Sequence, residues 1–526
     1  MGIYLNPDNI EFYRATNSEI YVDKTELIRF TNRYLDTEHR NLCVSRPRRF
    51  GKSMAANMLV AYYSRGCDSK GLFQDYKIAQ DKDFERYLNK YNVIHVNIQQ
   101  FAGRTESIHD MLELISSKLI RELKREFSDV IYYEPDIVSV LEEIYSQTGK
   151  GFIFIIDEWD CVFRNFRSVI NEQREYLNFL RDMLKNQPYN ILTYMTGIPI
   201  KKYGEHSALN MFDEYSMTNQ RELAEFTGFT EEEVKELCAD YDMSYEAMKL
   251  WYDGYDLKGV QIYNPRSVVM SLTGHDFDSY WTKTETYEAL KKYIQIDMYN
   301  LKSLVTRLIA GEHIRINTDK FQNDMTTFDS ADDIFTLLVH LGYLTYDFYK
   351  QEVFIPNQEV QKEFINCIED GGWEHVMDAI RHSDELLTAT INADEELVAA
   401  MIEQAHQENI SVLKYNDENA LFCVISLAYY CARKDYSIYR ELAGEKGYTD
   451  MVFVPHQHSD MPAIIVELKW NKSADTAISQ IKSRQYVESL KGYKGEVVLV
   501  GISYDDKSDK GIGYKKHSCR IERVLI

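Results

Sequence analysis

A basic, glycine-containing loop lies between an apolar run and a helical stretch near the start of the chain, and few folds accommodate that order. The run Leu42–Ser45 is predicted to be a buried strand, and the stretch from Lys52 to about Tyr63 is predicted to be a helix. The loop between them reads Ser45-Arg-Pro-Arg-Arg-Phe-Gly-Lys-Ser53. Backbone N–H groups at a helix N-terminus bind phosphate oxygens, so the arrangement indicates a P-loop, the Walker A element.

The residue types in this loop suit the binding of a nucleoside triphosphate. Lys52 is expected to reach the β- and γ-phosphates, and Ser53 to provide a hydroxyl ligand to Mg²⁺. The predicted nucleotide-binding residues are Arg46, Pro47, Arg48, Arg49, Phe50, Gly51, Lys52 and Ser53. The usual first glycine of the motif, five positions before Gly51, is Arg46 here, so the loop has to turn without it. The alternative is a basic surface turn before a helix.

An apolar strand that ends in two carboxylates supplies the expected partner of a P-loop. Asp157 and Glu158 directly follow the strand Phe152–Ile156, as in a Walker B element. Asp157 is predicted to hold Mg²⁺, directly or through water, and Glu158 to orient or deprotonate the attacking water. Carboxylates in this position also cap helices, which is the alternative. Thr196, at the end of a later strand, is a candidate sensor of the γ-phosphate, although an ordinary strand-end turn explains it equally well.

Strands and helices alternate through the first 200 residues. Further strands are predicted at Val93–Ile98 and Ile191–Met195, with helices at Ser107–Glu126 and around Glu172–Lys185. This alternation predicts an α/β fold with a mostly parallel sheet covered on both faces. The middle of the chain reads as mainly helical, and the helix Asp332–His340 followed by two short strands suggests a winged-helix-like connector.

Two carboxylates and a lysine form a second constellation near the C-terminus. Asp450 is predicted to open a strand after a glycine-containing turn, and the next strand contains Glu467 and Lys469. Side chains at i and i+2 of a strand share one face, and a hairpin would bring Asp450 beside them. Two facing carboxylates repel unless a hard cation lies between them, so we expect Mg²⁺ or Mn²⁺ there. The lysine is expected to activate water and to stabilise phosphate charge.

Other residues around this D…E-x-K set are candidates for supporting roles. Glu441 would be an additional acidic metal ligand, and Glu418 is a weaker candidate. Gln480, on the following helix, is expected to support the metal shell or to bind backbone phosphate, with Tyr486 nearby. For E-x-K alone, an ordinary alternating strand with a solvated Glu and Lys is the alternative.

Charge is unevenly distributed along the chain. The 526 residues carry a formal net charge of −23, which disfavours nucleic acid because neutralising phosphates requires Lys and Arg. Residues 411–526 nevertheless hold 17 Lys and Arg against 15 Asp and Glu. The acidity therefore belongs to the first 410 residues, and the last segment remains able to approach DNA.

The sequence does not predict secretion or membrane insertion. The first residues contain no signal-peptide pattern, and no stretch approaches roughly 18 uncharged apolar residues. The eight cysteines are scattered without a C-x-x-C pair, which predicts reduced thiols rather than a disulfide framework or a zinc site. We therefore expect a cytoplasmic protein with no membrane partner.

Together these motifs resemble a bacterial and archaeal family of AAA-ATPase-like proteins with a fused C-terminal PD-(D/E)XK nuclease domain. The matching segments span nearly the whole chain: Arg46–Ser53, Ile156–Glu158, Thr196–Ile198, Phe229–Val234, Trp251–Tyr255, Tyr263–Ser267, Gly342–Thr345, and Gly447 with Asp450, Glu467, Leu468 and Lys469. Arg46 in place of glycine agrees with the family's R-P-R-R-F-G-K-S variant. An arginine common in the turn before Asp450 is missing, since Tyr448 and Thr449 stand there. The resemblance therefore does not extend to a DNA-phosphate contact at that turn.

The resemblance implies an ATPase motor or switch coupled to a nuclease. We predict a multidomain α/β chain with a AAA-like P-loop ATPase domain at 1–215, a helical lid region at 216–300, a winged-helix-like connector at 301–370 and a restriction-endonuclease-like α/β domain at 371–526. The expected ligands are ATP with Mg²⁺ in the first domain, and Mg²⁺ or Mn²⁺ with DNA in the last. ATP binding or hydrolysis would then govern the cleavage of DNA phosphodiesters.

Two other hypotheses remain open at this point. The chain could be a nucleotide-switched scaffold whose nuclease-like domain binds DNA or a protein partner without cutting, which the acidic bulk and the aromatic-rich middle segment support. It could also bind ATP purely as a sensor, without hydrolysis. An arginine that completes the ATPase site could come from a neighbouring subunit of a homo-oligomer, and the sequence does not identify it.

Overall fold

The computed structural model describes most of the chain. The described residues are 2–166, 170–198, 209–219, 223–281, 287–294, 299–321, 328–369, 373–413, 418–444, 447–456, 461–483, 490, 493, 495–505 and 516–525. The chain forms two compact units: unit 1 comprises Met1–Thr286 and Arg315–Gln361, and unit 2 comprises Tyr287–Ile314 and Lys362–Ile526. The division into four functional domains stays a prediction.

The secondary structure alternates between strands and helices along most of the chain. The strands are β1 (Asn41–Ser45), β2 (Asn92–Asn97), β3 (Phe152–Asp157), β4 (Asn190–Gly197), β5 (Asp213–Tyr215), β6 (Phe229–Thr230), β7 (Tyr255–Leu257), β8 (Val260–Tyr263), β9 (Ile314–Arg315), β10 (Thr345–Asp347), β11 (Glu352–Phe354), β12 (Tyr436–Gly444), β13 (Gly447–Pro455), β14 (Ala463–Trp470), β15 (Glu496–Tyr504) and β16 (His517–Leu525). The helices are α1 (Ile10–Thr16), α2 (Glu26–Asn32), α3 (Lys52–Tyr63), α4 (Lys70–Phe73), α5 (Phe84–Tyr87), α6 (Ile98–Ala102), α7 (Ile108–Glu126), α8 (Ile137–Thr148), α9 (Cys161–Asn165), α10 (Ile170–Leu184), α11 (Glu231–Asp240), α12 (Tyr245–Tyr252), α13 (Pro265–Gly274), α14 (Tyr287–Ile294), α15 (Leu301–Ile309), α16 (Ala331–Leu341), α17 (Gln358–Glu369), α18 (Glu374–Arg381), α19 (Ser383–Ile391), α20 (Glu395–Leu413), α21 (Glu418–Ala428) and α22 (Ala474–Ser483).

The core of unit 1 is a five-stranded parallel sheet in the order β2-β3-β4-β1-β5. Strands β1 and β3 are buried along their whole length, as their continuous apolar runs predict for strands covered on both faces. Because parallel strands end at the same edge, Ser45, Asp157 and Gly197 terminate β1, β3 and β4 side by side. This edge therefore collects the P-loop, the two carboxylates and the residues that follow β4.

The predicted parallel α/β architecture is confirmed by this sheet. The four strands that the sequence predicts are present, each with its ends within two residues of the expected bounds. Strand β5 extends the sheet beyond β1 and is not predicted by the sequence pattern. Its three residues, Asp213–Tyr215, include two acids and carry no apolar alternation, so the local pattern holds no strand signal.

Unit 1 continues as short helices around a small antiparallel sheet in the order β6-β8-β7. Thr230 and Glu233 form a capping box at the start of α11, and Asn264 caps α13 just before Pro265. The helix and two strands predicted for the connector are present as α16, β10 and β11, with the two strands antiparallel. The middle of the chain is thus largely helical, as predicted, with a small additional sheet.

A buried histidine in α16 predicts how the stability of unit 1 depends on pH. The His340 ring stacks on Phe321 at 5.7 Å, and burial lowers the pKa of the imidazole to about 3. The folded unit therefore keeps this ring neutral at pH 5, whereas the unfolded chain protonates it below about pH 6.5. Stability is lost as the pH falls through that range, by about 2 kcal/mol between pH 7 and pH 5.

Denaturant unfolding of wild type and His340→Phe at pH 7 and pH 5 tests this assignment. The wild type should lose about 2 kcal/mol more than the variant on acidification, because Phe has no proton to bind. His39→Gln changes an exposed histidine and serves as the matched control. Equal losses in wild type and His340→Phe would show that His340 does not govern the acid sensitivity.

The core of unit 2 is a five-stranded mixed sheet in the order β12-β13-β14-β15-β16. Strands β14 and β15 run parallel, and the other neighbouring pairs run antiparallel. Helix α22 packs on one face, where Ile478 and Ile481 join Ile465 and Leu499 in an apolar cluster. The second α/β unit predicted for the C-terminal part of the chain is therefore present.

Unit 2 corrects three details of the sequence-based interpretation. Strands β12 and β16 are not predicted, since β12 has no continuous apolar run and β16 is largely polar. Asp450 lies inside β13 rather than at its start, because the β12–β13 ladder extends as far as the pair Gly444 and Gly447. The sequence pattern also predicts one helix over Asn419–Arg433, whereas α21 ends at Ala428 and is followed by a 3₁₀ turn.

Two further predictions concern the environment of the protein. Among the described residues, no helix combines the length and the apolar character that crossing a bilayer requires. All eight cysteines lie among the described residues and form no disulfide bonds with one another, as the scattered spacing predicts.

Candidate nucleotide and phosphodiester sites

The P-loop turns through two residues with left-handed backbone conformations. Arg49 has a φ of 69°, and Gly51, with a φ of 84°, immediately precedes α3. The ammonium group of Lys52 donates to the carbonyl oxygen of Arg46 at 3.0 Å and to that of Pro47 at 2.9 Å. Burial lowers the pKa of Lys52, while nearby carboxylates raise it. The lysine is therefore held against the loop's own carbonyl groups.

Arg46, which occupies the place of the usual first glycine, is buried in the interior of unit 1. Its guanidinium donates to the carbonyl oxygens of Ser45 at 2.7 Å, Tyr215 at 3.0 Å and Leu223 at 3.4 Å. Burial lowers its pKa to about 10. Arg46 thus ties the start of the P-loop to the edge strand β5 and to the segment that follows it. These contacts give the Arg46 side chain a structural role, and its part in nucleotide binding stays a prediction.

Asp157 is the centre of a hydrogen-bond network at the edge of the sheet. It accepts from the Ser53 hydroxyl at 2.6 Å, from the Asn97 amide at 3.2 Å and from the Thr196 hydroxyl. The structure thus brings together three residues that the sequence proposes for one site. Asn97 was not predicted, and its only signal is that it ends the strand next to β3. Carboxylate and hydroxyl oxygens are the hard ligands that Mg²⁺ prefers, so this donor set fits the metal.

Glu158 lies at the border between this network and an open cavity. Its φ of 54° is left-handed, and its backbone N–H donates to Asp157 at 3.1 Å. The Arg164 guanidinium lies 2.7 Å from its carboxylate. Burial raises the pKa of Glu158, but the charges of Lys52 and Arg164 outweigh that effect and lower it. The side chain is therefore an ionised carboxylate that lines the cavity.

A cavity of about 930 Å³ in unit 1 is lined by the P-loop, by residues between Ser18 and Lys24, and by residues between Phe226 and Val269. Its charged lining residues are Lys24, Arg48, Arg49, Lys52, Glu158 and Arg266, and its apolar ones include Ile20, Tyr21, Val22, Phe226, Phe229 and Val269. A nucleotide requires cations for its phosphates and an apolar surface for its base. The volume and the lining residues therefore fit ATP.

Arg266 is a cavity residue that the sequence reasoning missed. It lies at the start of α13, where its backbone N–H donates to the Asn264 side chain at 2.9 Å. The Asn-Pro-Arg sequence is a helix-start signal, since Asn caps and Pro favours the first turn. That signal identifies the helix, but its proximity to the P-loop depends on the tertiary fold.

The outer side of the P-loop packs against the middle region of unit 1. The indole of Trp281 donates to the carbonyl oxygen of Arg48 at 3.3 Å, and the rings of Phe50 and Tyr255 meet edge to face at 5.2 Å. A Cβ atom at Gly342 would lie 2.8 Å from the side chain of Pro47, so this contact requires glycine. Pro47, Arg48 and Phe50 thus anchor the loop rather than face only the cavity.

The second candidate site lies on β13 and β14 in unit 2. Met451 pairs with Val466, so Asp450 and Glu467 occupy the next positions of the same ladder. One carboxylate oxygen of Asp450 accepts from the backbone N–H of Leu468 at 2.6 Å. The ammonium group of Lys469 donates to Glu467 at 2.8 Å, and Glu467 is 1% exposed.

Helix α22 completes this cluster. The Gln480 amide donates to the same carboxylate oxygen of Glu467 that Lys469 contacts. Gly501 lies beside Glu467 on β15, and a Cβ atom there would lie 2.5 Å from the carbonyl oxygen of Ala474. The absence of a side chain at Gly501 therefore lets α22 approach closely enough for Gln480 to reach Glu467.

The structure does not describe the side chains of three other residues that the sequence proposes for this site. Glu441 lies on β12, and the pairs Arg440–Met451 and Leu442–Thr449 place it opposite Asp450, although its side chain is outside the described structure. Glu418 begins α21, and its side chain is likewise not described. Tyr486 lies outside the described residues.

The second site offers two carboxylates to a metal ion, but its described side chains do not form a complete set of protein ligands around one. Within the described part of the chain, no group of three or more His, Cys, Asp or Glu side chains is arranged to hold a metal ion. Mg²⁺ is commonly bound by one or two carboxylates, with water and substrate phosphate as the other ligands. The carboxylates of Asp450 and Glu467 fit that smaller set.

Comparison with known proteins gives distant relatives. An uncharacterized protein from the vnfD 5′ region of Azotobacter chroococcum mcd 1 is 23% identical over 294 residues, which are 52% of this chain and 52% of the relative. The chain thus aligns with about half the length of that protein.

Two solved structures from Aeropyrum pernix show weak overall likeness. The ORC2 protein, in ADPNP–ADP complexes, has a TM-score of 0.31 and 12% identity, covering 67% of this chain and 97% of that one. The ORC1 protein in complex with DNA has a TM-score of 0.26 and 9% identity, covering 87% and 95%. Scores this low have no bearing on function.

Two family models match separate parts of the chain. Residues 11–199 match the model described as "Predicted AAA-ATPase". This range contains the P-loop, Asp157 and Glu158. Residues 418–512 match the PD-(D/E)XK nuclease superfamily model, which contains Asp450, Glu467 and Lys469. The chain therefore joins an AAA-ATPase-like domain to a domain of the PD-(D/E)XK nuclease superfamily, the fused architecture that its sequence motifs predict.

Proposed function

We propose that this protein binds and hydrolyses ATP, and that its nucleotide state controls a Mg²⁺-dependent nuclease that cleaves DNA phosphodiesters. The observation that carries the proposal is the network in which Ser53, Thr196 and Asp157 meet beside Lys52. In an ordinary surface turn the lysine would be exposed to solvent. A lysine buried next to a carboxylate–hydroxyl cluster at the end of a parallel sheet is instead typical of a phosphate-binding site.

In the ATPase half, each side chain has a distinct part. Lys52 exchanges its carbonyl contacts for phosphate oxygens, and Arg266 contributes a second cation from α13. Ser53 and Asp157 hold Mg²⁺, which offsets phosphate charge when it is bound. Glu158 orients the attacking water and accepts its proton.

In the nuclease half, Asp450 and Glu467 hold the divalent cation, which neutralises phosphate charge when bound. Lys469 leaves Glu467 to approach the scissile phosphate and orient the attacking water. Gln480 retains the Glu467 carboxylate in place. The near-balanced charge of residues 411–526 is compatible with an approach to DNA, with affinity that falls steeply with salt.

A second candidate function is a nucleotide-switched scaffold whose nuclease-like domain binds without cutting. The observation that favours it is the direct contact of Lys469 with Glu467, both of which are buried. Such an ion pair satisfies the two charges without a metal.

Parallel assays of ATP turnover and DNA cleavage in one preparation test the proposal. Lys52→Ala should lose ATP turnover, since it removes the ammonium group that is expected to contact the β- and γ-phosphates. Lys469→Ala should retain turnover and lose Mg²⁺-dependent cleavage. If the wild type cleaves neither DNA nor RNA with or without ATP, the nuclease proposal fails and the scaffold is favoured.

A further inference from the structure

Arg164 lies on α9, six residues after Glu158 and one helical turn after Asp160. One nitrogen of its guanidinium donates to Oε2 of Glu158 at 2.7 Å, and Nε lies 3.1 Å from Oδ2 of Asp160. The arginine side chain is 15% exposed and that of Asp160 is 3% exposed. Two largely enclosed carboxylates therefore share one guanidinium.

The segment that carries Arg164 is fixed to the end of β4. A Cβ atom at Gly197 would lie 2.4 Å from Oδ1 of Asp160, so the aspartate packs directly on the strand end. The indole of Trp159 donates to the carbonyl oxygen of Ile198 at 3.2 Å, and Tyr176 donates to the carbonyl oxygen of Trp159 at 2.9 Å. A guanidinium anchored to Asp160 in this way has little rotational freedom.

We propose that Arg164 is a positioning residue for ATP hydrolysis, which holds one carboxylate oxygen of Glu158 so that the other stays directed at the attacking water. This inference rests on the proposed ATPase function. Glu158 lines the cavity, whereas Arg164 is not among the described lining residues, so the arginine acts through Glu158. A rotation that misplaces a catalytic group by about 1 Å costs on the order of 10²-fold in rate.

Steady-state ATP hydrolysis and the binding of a fluorescent ATP analogue, measured on the full chain, test this role. In Arg164→Gln, kcat should fall by about 10- to 100-fold while the analogue's Kd stays within about twofold, because the arginine does not touch the nucleotide. Arg164→Lys should recover part of kcat, since an ammonium group still pairs with Glu158. Arg181→Gln, which changes a half-exposed arginine on α10, is the matched control.

The outcomes separate this inference from the proposed function. An unchanged or raised kcat in Arg164→Gln, beside an active wild type, would overturn the positioning role alone. A parallel loss of kcat, analogue affinity and melting temperature that Arg164→Lys does not restore would also overturn it, because it would indicate a purely structural arginine. A wild type that binds the analogue without hydrolysing ATP would refute the ATPase proposal and this inference together.

Discussion

Glu158→Gln is expected to lower the kcat for ATP hydrolysis by about 10²–10³-fold, because the amide cannot accept a proton from the attacking water. The affinity for ATP should change little, since Lys52, Ser53 and Arg266 remain in place. The geometry supports this separation: Glu158 lines the cavity, whereas the P-loop is anchored independently by Trp281 and Tyr255. Steady-state turnover and analogue binding measure the two quantities.

Glu175→Gln is the matched control for that substitution. Glu175 is an acidic residue of α10 that pairs with His109 on the surface, away from the cavity. Its turnover should equal that of the wild type. If Glu158→Gln hydrolyses ATP at the wild-type rate, another group accepts the proton and the role assigned to Glu158 is wrong.

Glu467→Gln is expected to reduce Mg²⁺-dependent DNA cleavage by about 10³-fold or more, because it removes one of two carboxylates for the cation. The amide oxygen of the replacement can still accept from Lys469 and Gln480, but it carries no negative charge, so the ion pair that orients the lysine is lost. Isothermal titration with Mn²⁺ should show a site in the wild type that is absent from both Glu467→Gln and Asp450→Asn. The initial rate of cleavage of a labelled duplex measures the activity.

Two controls distinguish the loss of the metal site from a general loss of structure in these variants. ATP turnover in Glu467→Gln should match the wild type, since the ATPase site belongs to unit 1. Glu496→Gln changes a half-exposed carboxylate on β15 that pairs with Arg523, and it should cut DNA normally. Wild-type cleavage by Glu467→Gln, or as many Mn²⁺ sites in both variants as in the wild type, would place the nuclease metal elsewhere.

Much of the fold is predictable because strands that are buried on both faces have a recognisable sequence pattern, a continuous run of apolar residues. Strands β1 and β3 are continuous apolar runs, and the loop and carboxylates at their ends follow from that assignment. Strand β16 has no such pattern, since it lies at the sheet edge with charged residues such as Arg520 and Arg523 on its exposed positions. Strand β5 is too short to carry a pattern.

The residues of the candidate sites are also only partly predictable from the sequence. The spacing of Glu467 and Lys469 predicts that they share a face, because the period of a strand is two residues. The role of Arg46 was not predictable, since a motif shows that a glycine is missing but not which carbonyl groups the replacement binds. Asn97 and Arg266 join the ATPase site from distant parts of the chain, so only the tertiary fold identifies them.

Coupling between the two domains is decided by one rate, that of DNA cleavage by the full chain in Mg²⁺ with and without ATP. We expect ATP to change that rate by about fivefold or more, which corresponds to an ordinary coupling free energy between two sites. In Lys52→Ala the rate should no longer respond to ATP, because the nucleotide is not bound. Cleavage at the same rate with and without ATP would contradict nucleotide control of the nuclease, and no cleavage under either condition would contradict the nuclease itself.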